Sequence, residues 1–308
     1  MTVPRPGPHG GDGPAVAAAL GLQPASVLDL SVSLNPFAPD AKTLALGHLD
    51  ALTRYPAPER ATRALAGAIG IEAERLVLTN GGSEAIALVA TELGPGWVQE
   101  PDFSLYRRHL PAVVEGAPCW RSNPRNPTGR LAAPDERAAV WDEAFFPLAT
   151  GQWTRGDPGA VVVGSLTKVF ACPGLRAGYV LAPDARFADR LRRRQPRWSV
   201  NGLAAALIPE LLEGAELPAW AAGIATLRGE LVEVLRAHGL GTRPSDAPFV
   251  LVDGAAGLRH RLALLGVVVR DCASFALTDC VRIAVPGPAG LERLDTALRE
   301  VEAEEVSA

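Results

Sequence analysis

Long apolar runs are absent from the sequence, and none approaches the roughly 20 residues that a membrane span requires. The opening residues, MTVPRPGPHGGDGP, lack the apolar core of a signal peptide. The four cysteines form no CxxC pair and have no histidine at metal-ligand spacing, so we expect neither a disulfide framework nor a zinc site, and a reducing cytoplasm is favoured. The net charge of −4 gives no support to a nucleic-acid partner.

Lysine is also scarce. Lys42 and Lys168 are the two lysines, and the other 28 of the 30 basic residues are arginine. Arginine stays charged, whereas a partly buried lysine shifts its pKa readily and can become a neutral, nucleophilic amine. Lys168 follows AVVVGSLT, a segment that predicts a buried strand ending in a turn of small residues. Two interpretations are open here: Lys168 does chemistry, or it is a surface lysine that follows a strand.

Strand candidates alternate with helical stretches over much of the chain, which predicts an α/β protein with a mainly parallel sheet covered on both faces. With 308 residues, of which 48% are hydrophobic, the chain can bury a large core in two joined lobes. We expect an N-terminal arm (1–40) that joins a small lobe, a large lobe (41–190) and a C-terminal small α+β lobe (191–308). A helical pattern from about 184 to 238 is expected to be interrupted at Pro196, Pro209 and Pro218.

Three short motifs contain polar residues that could bind a ligand. TNGGSEAI (79–86) joins a predicted strand to a helix, and its glycines with the first helical N–H groups can cradle a phosphate, although such glycines also occur for turn geometry alone. SNPRNPTGRL (122–131) has two Asn-Pro steps, which also suit an ordinary surface loop. WDEAFF (141–146) places Asp142 at the carboxyl end of a predicted strand, where open α/β sheets bind ligands.

An imine-forming lysine, a phosphate cradle and a carboxylate for a ring nitrogen are together the groups that pyridoxal phosphate requires. At these residues the chain resembles the fold-type I pyridoxal-phosphate enzymes of the class I and II aminotransferase family. SNPRNPTG, WDEAF and SLTKVFACPGLRAGY are similar to family motifs and occur in the family's order. The segments HGGD (9–12), LDLSVSLNPFAP (28–39) and PRWSVNGLAA (196–205) most resemble the threonine-phosphate decarboxylases of cobalamin biosynthesis, which are relatives of the histidinol-phosphate aminotransferases.

Carried over residue by residue, this resemblance implies that Lys168 links covalently to the cofactor and that Asp142 contacts its pyridine nitrogen. Asn126 would bond the phenolic oxygen of the ring and Phe103 would stack on its face. The implied phosphate ligands are Gly82, Ser83, Ser165, Thr167 and Arg176, with Tyr55 reaching the phosphate of a neighbouring subunit, so that a homodimer is expected. For Phe103 and Tyr55, core packing is the alternative.

A substrate with a phosphate and a carboxylate needs several cationic donors. Arg270 and Arg282 match the substrate arginines of the family, and His9 and Gly10 match its anion-binding segment, although a terminal histidine can also be disordered. The decarboxylases usually have asparagine where this chain has Ser33. The segments before SNPRNPTG and before WDEAF are short for the family, which implies a large lobe trimmed at one sheet edge.

The reaction implied by the resemblance is decarboxylation of L-threonine O-3-phosphate. Two alternatives stay open at this point. One is a transaminase acting on a phosphorylated or carboxylated amine. Phe145 disfavours it mildly, since the aminotransferase relatives usually have tyrosine there. The other is a non-catalytic protein that keeps the fold and the cofactor residues.

Overall fold

A computed structural model describes residues 2–307 of the chain. Residues 1 and 308, which begin the predicted arm and end the predicted small lobe, lie outside that range. The chain divides into two units. Unit 1 takes in the described residues through Pro36, then Pro127–Arg130, and the described residues from Ala222 onward. Unit 2 comprises Phe37–Asn126 and Leu131–Ala221.

The helices and strands are numbered in chain order. The helices are α1 (Gly13–Leu20), α2 (Ala41–Leu46), α3 (Glu59–Ile69), α4 (Gly81–Leu93), α5 (Leu105–His109), α6 (Phe146–Thr150), α7 (Leu166–Val169), α8 (Ala185–Arg194), α9 (Gly202–Glu213), α10 (Leu217–Ala237), α11 (Leu258–Leu264) and α12 (Pro288–Ser307). The strands are β1 (Leu28–Leu30), β2 (Leu76–Thr79), β3 (Trp97–Val98), β4 (Cys119–Ser122), β5 (Val140–Asp142), β6 (Val161–Ser165), β7 (Gly178–Leu181), β8 (Phe249–Val252), β9 (Val267–Asp271) and β10 (Val281–Ala284).

Unit 2 is built on a six-stranded sheet with the strand order β2-β7-β6-β5-β4-β3. Strands β3 to β6 are parallel, and β7 is antiparallel to both of its neighbours. Both faces are covered: Val162 of β6 belongs to one apolar core, whereas Val161 and Val163 belong to the core on the opposite face. A strand buried on both faces has a nearly continuous apolar sequence, as AVVVGS does. The predicted mainly parallel α/β fold is confirmed.

The helical segment after β7 packs on unit 2. Helix α9 lies against α3, and its Leu207 and Leu211 share an apolar core with Leu65. For this reason unit 2 extends to Ala221, whereas the sequence placed the boundary at 190. The predicted interruption at Pro209 is wrong, because α9 continues through this residue and buries its apolar side chains on both sides of it.

The edge of this sheet is formed by the shortened central segment. Its last strand, β3, has two residues, and β4 pairs with it in parallel. Between Phe103 and β4 the chain forms the five-residue helix α5. Strand β4 was not among the strands expected from the sequence. The short segment thus leaves a narrow sheet edge, as the resemblance implied.

Unit 1 contains a four-stranded sheet with the order β1-β9-β10-β8. Strand β1 is parallel to β9, and β10 is antiparallel to β9 and β8. Helices α11 and α12 cover an apolar core that includes Leu262, Ile283 and Leu294. Arg270 of β9 and Arg282 of β10 stand directly opposite each other. Within residues 2–307, no helix is long and apolar enough to cross a membrane.

Candidate active site

The carboxyl ends of β5 and β6 carry two of the predicted catalytic residues. Asp142 is the last residue of β5 and pairs with Val163 of β6. Three residues after the end of β6 comes Lys168, on the short helix α7. Lys168 is half-buried, and it lies close enough to Asp142 for its positive charge to favour the ionised carboxylate. The structure therefore brings together the amine and the carboxylate that the sequence singled out.

The Asp142 carboxylate is buried and accepts two hydrogen bonds. The Tyr106 hydroxyl donates to Oδ2 over 2.9 Å, and the Ala144 amide donates to Oδ1 over 3.1 Å. Burial nevertheless raises the pKa of Asp142 above its ordinary value, because it outweighs these bonds and the Lys168 charge. A buried acceptor of this kind is suited to a cationic N–H donor such as a protonated pyridine.

Aromatic and amide groups lie beside Asp142. The ring of half-buried Phe103 meets Tyr106 edge to face, with centroids 5.7 Å apart. Asn126 is buried, and its backbone N–H donates to the Ser122 hydroxyl over 2.8 Å. Ser122 is the last residue of β4 and pairs with Asp142 across the sheet. Phe103 and Asn126 therefore both belong to the surroundings of the buried carboxylate.

A cradle for an anion lies at the start of the thirteen-residue helix α4. A Cβ added to Gly81, where φ is +76°, would come within 2.9 Å of the Arg176 guanidinium carbon. One added to Gly82 would contact the Ser165 side chain at 3.9 Å. The Ser165 and Thr167 hydroxyls are hydrogen-bonded over 2.8 Å. A glycine that lets the Arg176 guanidinium approach the start of the helix, together with helix N–H groups and two hydroxyls, suits a phosphate.

Two predicted phosphate ligands are open to solvent. Ser83 is exposed in the first turn of α4. Tyr55 is 77% exposed and stacks on Trp198, with the ring centroids 4.4 Å apart. Tyr55 thus lies on the surface of unit 2, which the expected contact of its hydroxyl with a neighbouring subunit would require.

The predicted substrate residues lie in unit 1. Arg270 is buried and donates to the carbonyls of Gly7, over 2.7 Å, and of Pro8. Arg282 is buried and donates to the Ser31 carbonyl over 3.2 Å. Burial lowers the pKa of both arginines, that of Arg282 to about 10. Arg270 was expected to bind the substrate, and in the structure its guanidinium holds the N-terminal segment.

The glycines of HGGD are held against the same strand end. Gly10 has φ +76°, and a Cβ there would lie 2.7 Å from the Ser31 carbonyl oxygen. The Gly11 amide donates to the Ser31 hydroxyl over 2.8 Å. His9 is exposed beside them. The Ser33 hydroxyl is buried and has no hydrogen-bond partner among the residues that the structure describes, which is consistent with a ligand contact at this residue.

The residues present in unit 2 fit pyridoxal phosphate. A covalent link needs an amine, which Lys168 has, and the ring nitrogen needs the buried carboxylate of Asp142. The 5′-phosphate needs the cradle formed by Gly82, Ser165 and Arg176. The crowding that a Cβ at Gly81 would cause explains why the cradle begins with glycine.

Sequence reasoning missed three residues of this site. The Tyr106 hydroxyl donates a hydrogen bond to Asp142. The Asp102 carboxylate accepts hydrogen bonds from the Ser122 hydroxyl and amide, close to Phe103 and Asn126. A tyrosine one helical turn after Phe103 was a usable signal for Tyr106. Asp102 gave none, and Ser122, although it opens the SNPRNPTGRL motif, gave no sign of its bond to Asp102, because the two residues meet only in the folded chain.

Comparison with known proteins adds to this geometry. The sequence profile of a family described as aminotransferase class I and II matches residues 120–298. The chain is 30% identical to a threonine-phosphate decarboxylase of Salmonella typhimurium, over 95% of this chain and 96% of that protein. It is also 30% identical to a histidinol-phosphate aminotransferase of Symbiobacterium thermophilum, over 92% of both chains.

The fold is shared with solved structures. A histidinol-phosphate aminotransferase from Sinorhizobium meliloti, in complex with pyridoxal-5′-phosphate, superposes with a TM-score of 0.80 at 18% identity, covering 97% of this chain and 95% of that chain. The alignment with the Salmonella decarboxylase spans 352 positions, 44 more than the 308 residues of this chain. At least that many positions therefore have no counterpart here.

Proposed function

Since the chain belongs to the aminotransferase class I and II family, we propose that it decarboxylates L-threonine O-3-phosphate, or a close phospho-amino acid, to (R)-1-amino-2-propanol O-2-phosphate. The chain is a pyridoxal-phosphate enzyme of this family, in which decarboxylases and aminotransferases both occur among its relatives. The proposed product places the enzyme in cobalamin biosynthesis.

The observation that carries the proposal is the pair of buried arginines on facing strands of unit 1. A phosphate and a carboxylate on one substrate call for at least two guanidinium groups. Arg270 and Arg282 supply two such groups with five N–H donors each, and the bonds to the Gly7, Pro8 and Ser31 carbonyls and to the Ser274 hydroxyl hold them in place. The identity of 30% with a threonine-phosphate decarboxylase supports the same substrate class.

His9, Gly10 and Ser33 complete the proposed substrate contacts. His9 is exposed, and the Gly10 backbone is fixed against Ser31, so an anion can approach both. The Ser33 hydroxyl, which is buried without a partner among the described residues, can donate to a phosphate oxygen. Asparagine, usual in the decarboxylases, would reach further, so the proposal includes a shifted phosphate contact at Ser33.

When bound, pyridoxal phosphate supplies an electron-accepting ring that weakens the bonds at the substrate Cα. The amine of Lys168 would hold the cofactor and could donate a proton at the substrate Cα. The buried carboxylate of Asp142 would accept a hydrogen bond from the ring nitrogen and favour its protonated form. Phe103 and Asn126 fix the ring plane, and the phosphate is held by Gly82, Ser83, Ser165, Thr167 and Arg176.

We further propose a homodimer in which Tyr55 reaches the partner's cofactor phosphate. Tyr55 and Trp198 are exposed as a stacked pair, and Leu46, Leu49 and Leu52 are exposed on the preceding segment of unit 2. Apolar side chains clustered in this way are typical of a surface that another chain covers. A second copy of the chain is the occupant that the Tyr55 role requires.

The decisive experiment incubates the cofactor-loaded protein with L-threonine O-3-phosphate and measures CO₂ and the product amine. We expect stoichiometric release of both over many turnovers. Lys168→Arg keeps a cation beside Asp142 but lacks the amine, so it should form no product and no borohydride-trapped adduct. Lys42→Arg, a change at an exposed lysine, is the matched control and should behave like the unmodified protein.

Transamination is the second candidate, supported by 30% identity with a histidinol-phosphate aminotransferase. It predicts different products: pyridoxamine phosphate accumulates in an amount equal to that of the protein, and no CO₂ is released. Adding a 2-oxo acid should then restore the starting absorbance. That result with histidinol phosphate and not with threonine phosphate would replace the proposed reaction.

A further inference from the structure

A second carboxylate, Asp102, is buried close to the proposed cofactor residues. Its side chain is 1% exposed. Oδ1 accepts the Ser122 hydroxyl over 2.5 Å and the Phe103 amide over 2.7 Å, and Oδ2 accepts the Ser122 amide over 3.2 Å. All three groups are donors, which an ionised carboxylate can satisfy because it only accepts.

The Ser122 hydroxyl extends this arrangement by one bond. While it donates to Asp102, it accepts the backbone N–H of Asn126 over 2.8 Å. The Asp102 carboxylate therefore holds the backbone of Phe103 directly and that of Asn126 through one hydroxyl. These are the two residues expected to contact the ring face and the phenolic oxygen of the cofactor.

We propose that Asp102 is a positioning residue for the cofactor, fixing Phe103 and Asn126 together so that the ring finds both contacts already in place. The inference rests on the proposed cofactor roles of those two residues. An interaction that orders two ligand-binding groups before binding raises affinity by removing the cost of ordering them.

The charge of Asp102 is sensitive to pH. Burial raises the pKa of Asp102 to about 7, although its hydrogen bonds and the Arg125 guanidinium, 4.0 Å away, favour the ionised form. The other titratable groups near it are Tyr106 on α5 and Cys119 on β4, with Glu100 accepting the Asp102 backbone amide. Protonation occupies one acceptor oxygen, so the positioning effect should weaken below neutral pH.

The test measures binding of pyridoxal phosphate to cofactor-free protein by quenching of tryptophan fluorescence. In Asp102→Asn one carboxylate oxygen becomes an NH₂ group, which cannot accept a hydrogen bond from the donors around it. We therefore expect the dissociation constant for pyridoxal phosphate to rise roughly 10- to 100-fold at pH 8, the factor for one hydrogen bond to a charged group. The rise should shrink at pH 6, where Asp102 of the unmodified protein is mostly protonated. Asp135→Asn, at an exposed carboxylate of the same unit, should change affinity less than about twofold.

A second variant separates the bond from Asp102 to Phe103 from the link through Ser122 to Asn126. It can be used even where Asp102→Asn fails to fold. Ser122→Ala removes the link to Asn126 but leaves the Phe103 amide bonded to Asp102. Hydrogen exchange of the cofactor-free protein should then show faster exchange at the Asn126 amide and an unchanged rate at Phe103. Cofactor affinity should fall roughly fivefold, as for one neutral hydrogen bond.

These readouts are independent of the reaction catalysed. Unchanged cofactor affinity in both variants, or equal losses at pH 6 and pH 8 in Asp102→Asn, would overturn the positioning role. If the unmodified protein binds the cofactor tightly but decarboxylates nothing, the proposed reaction fails while the role of Asp102 stands.

Discussion

Replacing Tyr106 by phenylalanine tests the electrostatics of the site directly. Tyr106 is fully buried, and its hydroxyl donates to Asp142 Oδ2 over 2.9 Å. The phenylalanine ring keeps the edge-to-face contact with Phe103 and removes the hydroxyl alone. Asp142 then keeps the hydrogen bond that the Ala144 amide donates to Oδ1 over 3.1 Å.

The size of the effect follows from the bond that is lost. Removing a buried hydrogen bond to a charged group costs roughly 1.5–3 kcal/mol, and one pKa unit corresponds to about 1.36 kcal/mol. The pKa of Asp142, which burial already raises, should therefore rise further when the Tyr106 hydroxyl is removed. For an acid whose pKa is raised by folding, stability is highest below its unfolded pKa and is lost as pH rises through the folded pKa.

Urea denaturation of cofactor-free protein at pH 5 and pH 8 measures this difference. Tyr106→Phe should lower the free energy of unfolding by roughly 1.5–3 kcal/mol at pH 8, where ionisation of Asp142 is favoured, and by about 1 kcal/mol at pH 5. Tyr55→Phe makes the same chemical change at an exposed tyrosine, so its effect on the free energy of unfolding should be small at both pH values. A Tyr106→Phe loss that does not depend on pH would refute the reasoning.

Three further changes test other parts of unit 2. Burial raises the pKa of Glu143 to about 7, so stability should fall as pH rises from about 4.5 to 7, and Glu143→Gln should remove roughly 3 kcal/mol of that fall in urea titrations. Gly81→Ala crowds the Arg176 guanidinium and should weaken cofactor binding at least about tenfold in fluorescence titrations, whereas Gly70→Ala, also at positive φ but with open space, should leave affinity unchanged. If the proposed homodimer forms through the exposed apolar residues before Tyr55, Leu52→Arg should yield a monomer in light scattering, since Leu52 is 67% exposed in the single chain.

The sequence was informative where the residues of a feature are neighbours along the chain. Strand β6 and Lys168 follow one another directly, so an apolar run and a lysine sufficed to predict them. The cradle of α4 was visible for the same reason, as its glycines adjoin the strand β2. Positions of this kind need no knowledge of the rest of the fold.

Strand β4 and the residues around Asp102 were missed because their partners are distant in sequence. Arg121 interrupts the apolar pattern of β4, yet it is buried, ion-paired with Glu136 and packed with its guanidinium 5.6 Å from the Trp141 ring centroid. Asp102 meets Ser122 only when the segment after β3 comes together with the end of β4. A window of neighbouring residues contains neither partnership.

The segments that are short for the family and the predicted cofactor residues belong to different parts of the same sheet. The short edge consists of β3 and β4, whereas Asp142, Ser165 and Lys168 come from the ends of β5 and β6 and the helix that follows.

Polar contacts support the sheet where the chain is short. Arg155 donates to the carbonyls of Ala133, Pro134 and Glu136, over 3.1, 3.0 and 2.9 Å, and its guanidinium lies 4.9 Å from the Trp141 ring centroid. Ser122 connects this edge to Asn126 and, through Asp102, to Phe103, whereas Tyr106 of α5 connects it to the carboxylate of Asp142. A change in β4 that spares Tyr106 should therefore act on cofactor affinity through Asn126 and Phe103, and leave the amine of Lys168 and the carboxylate of Asp142 in place.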